Sequence, residues 1–176
     1  MAIYDNKGNF LHYFGNLPSE YEDHHLGYSY SRPMITSHQG MYWYADKFLG
    51  KIYGIKKLTQ HKPSQTINIF DIPDYQSNTN QDLQPLKYIK DYKKVFTQSI
   101  LDFKVFDDTV YVVTRHEDFF FYKKYSTNGK LLSAHILPTV YDNMNASHFV
   151  FVVNSDHQWL IGIYESTELT SLYLFK

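Results

Sequence analysis

Two stretches of the chain share one pattern. Tyr4–Leu11 reads Tyr-Asp-Asn-Lys-Gly-Asn-Phe-Leu, and Tyr125–Leu132 reads Tyr-Ser-Thr-Asn-Gly-Lys-Leu-Leu, so that tyrosine, glycine and leucine recur 121 positions apart. That offset holds three units of about 40 residues, the size of a four-stranded propeller blade. In both stretches a glycine stands where a tight hairpin turn needs positive φ. The repeat therefore predicts a propeller of antiparallel four-stranded sheets.

The composition around this repeat favours β structure. Val, Ile, Thr, Tyr, Phe and Trp make up 64 of the 176 residues, while Ala occurs only 4 times. Branched and aromatic side chains suit a pleated, half-buried surface. No window of a dozen residues shows a 3.6-residue period with caps at both ends. The sequence predicts an all-β chain.

Short apolar runs separated by turn residues mark the strands. We predict strands at 3–4, 10–14, 33–36, 41–44, 51–56, 65–70, 100–106, 109–114, 119–125, 131–137, 148–153, 159–163 and 171–175.

These runs divide the chain into a partial propeller of about three blades within one domain, residues 1–176. The predicted segments are 1–14 (the end of an incomplete blade), 31–71 (a blade), 72–98 (a polar insertion), 99–138 (a blade) and 147–176 (a final partial blade with three strands). The first and last strands each leave an open edge, which invites pairing with another chain.

Charge and composition exclude several classes of partner. With 17 Lys plus Arg against 18 Asp plus Glu, the chain has no general electrostatic attraction to nucleic acid or anionic membranes. No apolar run is long enough to span a bilayer. Without cysteine there is no disulfide, thiolate nucleophile or thiolate metal site. The compartment stays open: it is cytoplasmic by default, because no signal peptide is present, and exported if the true N-terminus is missing.

The chain resembles the TolB-like six-bladed β-propeller proteins of Bacteroidetes. The residues that carry the resemblance are Ile3–Leu11, Tyr13–Pro18, Lys124–Leu132 and Ser171–Phe175. The resemblance implies a propeller fold, and this chain corresponds to its C-terminal half, since six blades need far more than 176 residues. Three interpretations follow: a truncated product, a smaller open array of sheets, or a half-propeller that pairs with a second copy.

No catalytic, cofactor or metal site is predicted. His24 and His25 beside acidic residues form the only local cluster that could hold a divalent ion, but we favour a solvated acidic loop. The carboxylate pairs Asp107-Asp108 and Glu117-Asp118 lie where hairpin turns are expected, and turn chemistry explains them. No nucleophile elbow is present.

The best candidate for a ligand site is the stretch before the first complete blade. Tyr28, Tyr30 and Arg32 can stack on a sugar, peptide or base and form hydrogen bonds with its edges. Arg115 and His116 are predicted in a turn of the next blade that faces the same way. The alternative is that the tyrosines cover the blade and Arg32 pairs with a nearby acid.

Two aromatic runs, Met41–Tyr44 and Phe119–Tyr122, are apolar on both faces. They are predicted to lie in the core between neighbouring blades. The alternative is that an outer aromatic side chain stays exposed until a missing blade or a second subunit covers it.

The sequence favours a non-catalytic propeller module that binds or scaffolds an unknown ligand, which could be a protein, a peptide or a glycan. One alternative is a metal-dependent propeller hydrolase or lactonase. Another is a truncated propeller fragment without independent activity. The predicted partners also include a second copy, or a missing N-terminal half that completes the propeller.

Overall fold

The computed structural model consists of antiparallel β-sheets. It describes residues 2–4, 7–13, 34–48, 50–57, 62–70, 98–141, 144–153, 158–165 and 170–175. The strands are β1 (Ala2–Tyr4), β2 (Phe10–Tyr13), β3 (Met34–His38), β4 (Met41–Asp46), β5 (Lys51–Ile55), β6 (Gln65–Asn68), β7 (Gln98–Phe106), β8 (Thr109–His116), β9 (Phe119–Ser126), β10 (Leu131–Leu137), β11 (Val140–Tyr141), β12 (Met144–Val153), β13 (Gln158–Glu165) and β14 (Thr170–Phe175).

Each sheet is a meander of strands in chain order. The hairpin β1–β2 comes first, followed by a first sheet (β3–β6), a second sheet (β7–β10) and a third sheet (β11–β14). The all-β prediction is confirmed, and so are antiparallel four-stranded sheets. The third sheet begins earlier than the sequence predicts, because β12 starts at Met144 and the short β11 pairs with it.

The 121-residue repeat is visible in the backbone. Tyr4 pairs with Phe10 and Ile3 with His12, while Tyr125 pairs with Leu131 and Lys124 with Ser133, so both hairpins shift register at the same position. Gly8 and Gly129 lie in the two turns with φ of 84° and 92°. The hairpin β1–β2 therefore has the pairing of the outer two strands of the second sheet.

Two-residue turns set the register between β3 and β4 and between β7 and β8. Gln39-Gly40 and Asp107-Asp108 have positive φ at both positions, the turn geometry that matches the twist of a β-hairpin. Counted from these turns, Ile35 opposite Tyr44 in the first sheet corresponds to Phe103 opposite Val112 in the second. Strands β12 and β13 of the third sheet correspond in the same way to β7 and β8 of the second. The register shifts after Ile100 in β7 and after Ala146 in β12.

The three sheets are stacked with the second in the middle. We call the face of a sheet that points toward the preceding sheet its N-side face, and the opposite one its C-side face. One core cluster joins Trp43 and Ile52 of the first sheet to Val110 and Val112 on the N-side face of the second. Another cluster joins Tyr111, Val113 and Phe120 on the C-side face of the second sheet to the third sheet's Phe149, Phe151, Leu160 and Tyr164. The second sheet is therefore buried on both faces.

The first strand of the second sheet lies between strands of the two neighbouring sheets. Strand β7 contacts β3 of the first sheet and β12 of the third. The Asp102 carboxylate of β7 accepts hydrogen bonds from the backbone N–H of Phe103 (2.8 Å) and of Phe151 in β12 (3.0 Å). Strand β7 thus ties the stack together along one edge.

The two aromatic runs are buried on one face only. Trp43 and Phe120 are buried, whereas Tyr42 and Phe119 are exposed. The prediction that both faces of these runs lie in the core is wrong for Tyr42 and Phe119. Tyr42 lies on the N-side face of the first sheet, which no strand of the described part of the chain covers at that position. Phe119 lies at the start of β9, beside the turn Glu117-Asp118.

Candidate functional site

Because neighbouring strands run in opposite directions, several connections between strands lie at the same end of the first and second sheets. The turn from β4 to β5, which includes Lys47, and the turn Glu117-Asp118 from β8 to β9 lie at this end. The backbone N–H of Ile100 donates to the carbonyl of Lys47 at 2.8 Å, which joins this end of the first sheet to that of the second. We call the group Lys47, Ser99 and Arg115 the cationic corner.

Arg115 is the buried member of the corner. It lies one residue before the end of β8 with only 4% of its surface exposed, opposite Ser99 in β7. Its Nη1 donates to the carbonyl of Glu117 at 3.3 Å, so the turn that follows helps to orient the guanidinium. A buried guanidinium is costly unless hydrogen bonds and negative charge surround it.

Lys47 carries the second positive charge. Burial lowers the pKa of its ammonium below the ordinary value of 10.5, and the positive charge of Arg115 lowers it further. Its Nζ also lies 5.5 Å from the centroid of the Phe48 ring. Two cations that repel each other in a partly desolvated place favour the approach of an anion.

Ser99 contributes an unused donor. Its side chain is fully buried, and its hydroxyl has no hydrogen-bond partner among the residues that the structure describes. Such a hydroxyl costs free energy until it finds an acceptor. Together, the three side chains offer two cationic donors and one neutral donor, the chemistry that carboxylate, sulfate and phosphate groups accept.

The sequence singled out two members of this region and placed them in a turn. The structure corrects this: Arg115 and His116 are the last residues of strand β8, because His116 pairs with Phe119 to close the two-residue turn. His116 is exposed. Whether either side chain binds a ligand stays a prediction.

Tyr28, Tyr30 and Arg32 lie outside the described residues. The described chain resumes at Met34, which pairs with Ala45 and so lies at the same end of the first sheet as Lys47. The chain therefore enters β3 at the end that carries the cationic corner. Convergence of these three side chains with Arg115 stays a prediction.

Sequence reasoning missed Lys47 and Ser99. Neither belongs to a motif: the stacking of the first and second sheets brings Lys47 toward Arg115, and the pairing of β7 with β8 places Ser99 opposite it. Lysine after a strand and serine at the start of one are ordinary features. A signal could have come only from knowing which sheets are neighbours and which residues of β7 and β8 pair.

Within the described ranges, no three His, Cys, Asp or Glu side chains are grouped so that they could hold a metal ion. The described part of the chain also contains no helix with the length and apolar character needed to cross a bilayer. In comparisons with known proteins, neither a protein-family model nor a curated protein matches this chain.

Proposed function

We propose that the chain is a non-catalytic, propeller-type binding module that holds an anionic group of its ligand at the cationic corner. The observation that carries this proposal is that the buried Arg115 lies opposite Ser99, while the backbone of Lys47 is hydrogen-bonded to Ile100, the residue after Ser99. Connections between strands at one end of a sheet stack are the usual place for binding residues, because the sheets hold them rigidly.

The arrangement of the sheets supports the propeller part of the proposal. Successive sheets stack in chain order, and β7 lies against β3 of the sheet before it and β12 of the sheet after it, as the inner strands of neighbouring propeller blades do. The equivalent register shifts in β7 and β12 support the view that these two strands occupy the same position in a repeating unit.

The ligand is a peptide or glycan that carries a carboxylate or a sulfate group. An arginine guanidinium matches a planar carboxylate with two parallel hydrogen bonds, and lysine adds a point charge. A neutral ligand of the same shape forms neither the two parallel hydrogen bonds of a carboxylate nor the attraction between opposite charges, and it binds more weakly.

Paired probes that differ in one charged group test this proposal. We expect galacturonate to raise the melting temperature where galactose does not, and a tetraglutamate peptide to do so where tetraglutamine does not. A ligand at 100 times its Kd stabilises a protein by about 2.7 kcal/mol, which is roughly 5–11 °C for a chain of this size. Calorimetric titration gives the Kd, and added salt weakens the binding.

Charge-removing variants locate the site. We expect Arg115→Met and Lys47→Met each to weaken binding of the anionic probe at least tenfold. Lys130→Met, which removes an exposed lysine from the turn between β9 and β10, leaves binding unchanged. If none of the anionic probes binds better than its neutral match, or if the three variants behave alike, the cationic corner is not the ligand site.

A further inference from the structure

The third sheet has an apolar face that points away from the second sheet. It consists of Ile161 and Ile163 of β13, with Leu174 and Leu172 opposite them in β14. Leu172 is 68% exposed, and Leu174 is also exposed. No strand of the described part of the chain covers this C-side face.

The equivalent face of the second sheet shows which kind of surface covers a face of this type. By register, these four residues correspond to Tyr111, Val113, Lys124 and Tyr122 on the C-side face of the second sheet. There, the next sheet supplies the cover: Phe151 of β12 lies 6.5 Å from the ring of Tyr111 and 5.7 Å from that of Tyr122. The occupant that fits the third sheet is therefore the N-side face of another sheet of this kind.

The chain itself offers such an N-side face. On the first sheet it consists of Ile35 and Ser37 of β3 and Tyr44 and Tyr42 of β4. The equivalent residues of the second sheet are Phe103, Val105, Val112 and Val110, and all four are buried against the first sheet. Ile35 and Tyr42 are instead exposed.

The exposed part of this N-side face lies on β3 and β4. Ile55 of β5 points to the same side and is almost completely buried, whereas Ile35 and Tyr42 belong to β3 and β4. The first and third sheets thus carry the two halves of an interface that the chain already forms twice internally. Both halves cannot be joined within one stack of three sheets, since they face in opposite directions.

We propose that two copies of the chain associate head to tail, with the C-side face of the third sheet of each copy covering the N-side face of the first sheet of the other. Each contact joins two unlike faces, and the two equivalent contacts close a two-fold symmetric pair that contains six four-stranded sheets. This association does not depend on the ligand site.

The mass in solution tests the proposal first. We expect light scattering on the 20.9 kDa chain to give twice that mass at micromolar concentrations. A monomer at all concentrations, as expected if further sheets of a longer protein cover the faces, overturns the proposal. An open series of longer oligomers also overturns it, because the pair then does not close.

Variants that each introduce one carboxylate show which two faces form the contact. We expect Leu172→Asp and Ile35→Asp each to raise the dissociation constant at least tenfold, because each buries a carboxylate in both contacts of the pair. The matched control is Ile136→Asp: Ile136 in β10 is also 68% exposed but lies on neither face. Circular dichroism verifies that each variant is folded. Equal weakening by all three variants contradicts the proposal.

Mixing the variants distinguishes a head-to-tail pair from other dimers. In a mixture of Leu172→Asp and Ile35→Asp, one of the two contacts has no substituted residue on either side. We expect the mixture to form dimers at concentrations where each variant alone is monomeric. A mixture that stays monomeric excludes the head-to-tail arrangement.

Discussion

Tyr125 and Tyr4 show how the same residue behaves in two copies of one hairpin. Tyr125 is 6% exposed and its hydroxyl donates to the carbonyl of Ile69 in the first sheet at 3.3 Å. Tyr4 is 58% exposed and contacts the edge of the Phe10 ring, with the centroids 5.9 Å apart. Local sequence makes the hairpin, and a neighbouring sheet decides whether its tyrosine is buried.

This contrast provides the first prediction. We expect Tyr125→Phe to lower the free energy of unfolding by about 0.5–1.5 kcal/mol, the usual net value of one hydrogen bond, and to leave the Ile69 carbonyl without that donor. Tyr4→Phe is the control and changes little. Urea denaturation measures both, and equal losses would show that the contact with Ile69 contributes nothing.

The second prediction compares two glycines. Gly50 has a φ of 62°, and a Cβ on it would collide with the ring of Phe70, whereas Gly129 has a φ of 92° and open space around it. Left-handed geometry costs an alanine about 1–2 kcal/mol, and overpacking adds roughly 1–3 kcal/mol. Gly50→Ala should therefore destabilise the chain clearly more than Gly129→Ala in the same denaturation experiment.

At the scale of elements, β7 is the strand on which the stack depends. It contacts both neighbouring sheets, and a register shift between Ile100 and Asp102 accompanies its link to β12. A bulge bends its strand and redirects a side chain. Asp102 follows this shift and reaches the backbone of Phe151.

The third prediction concerns this link. We expect Asp102→Ala to lower the free energy of unfolding by about 1–3 kcal/mol, because the buried N–H of Phe151 loses its charged acceptor. Asp118→Ala removes an exposed carboxylate from a turn and serves as the control. The reading of Asp102 as a link between sheets fails if both variants unfold at the same urea concentration.

Elements were more predictable from the sequence than contacts between them. Leu131–Leu137 was predicted with the bounds that β10 has, because apolar runs and turn residues are local signals. Strand β12 was predicted to begin at His148, and its first residues were missed because Asn145 and Ser147 read as polar loop. Arg115 is singled out as a candidate, but Lys47 comes near it through the stacking of two sheets and Ser99 through the pairing of β7 with β8, and neither has a local signal.

At the scale of the whole molecule, the second sheet is the centre of the described structure. Five successive residues of β8, from Val110 to Thr114, are buried because its two faces meet different sheets. A strand buried on both faces needs apolar side chains at successive positions rather than alternate ones. Val110, Tyr111, Val112 and Val113 meet that requirement.

The fourth prediction concerns stability at high pH. Burial is the main cause that raises the pKa of Tyr53 and of Tyr122 to about 12 from an ordinary value of 10.0. Their stabilising contribution is present below pH 10 and is lost as the pH rises from 10 toward 12. In a Tyr53→Phe/Tyr122→Phe variant, the free energy of unfolding should fall less steeply over that window.

The titration of Lys47 contributes equally in both proteins and therefore cancels when their slopes are compared. Lys47 has a lowered pKa, so its contribution to stability rises with pH up to 10.5, and it is present in both proteins. Urea denaturation at several values between pH 9 and 12 gives the two slopes. Parallel curves would mean that neither tyrosine remains protonated longer in the folded state than in the unfolded state.

The second sheet is enclosed between two others, and amide hydrogen exchange tests this arrangement most directly. Strands β8 and β13 each lie between two strands of their own sheet, but only β8 belongs to a sheet covered on both faces. In the Leu172→Asp variant, which keeps the third sheet uncovered, we expect the β8 amides to exchange at least tenfold more slowly than those of β13. Exchange of β8 as fast as that of β13 would contradict the stacked arrangement.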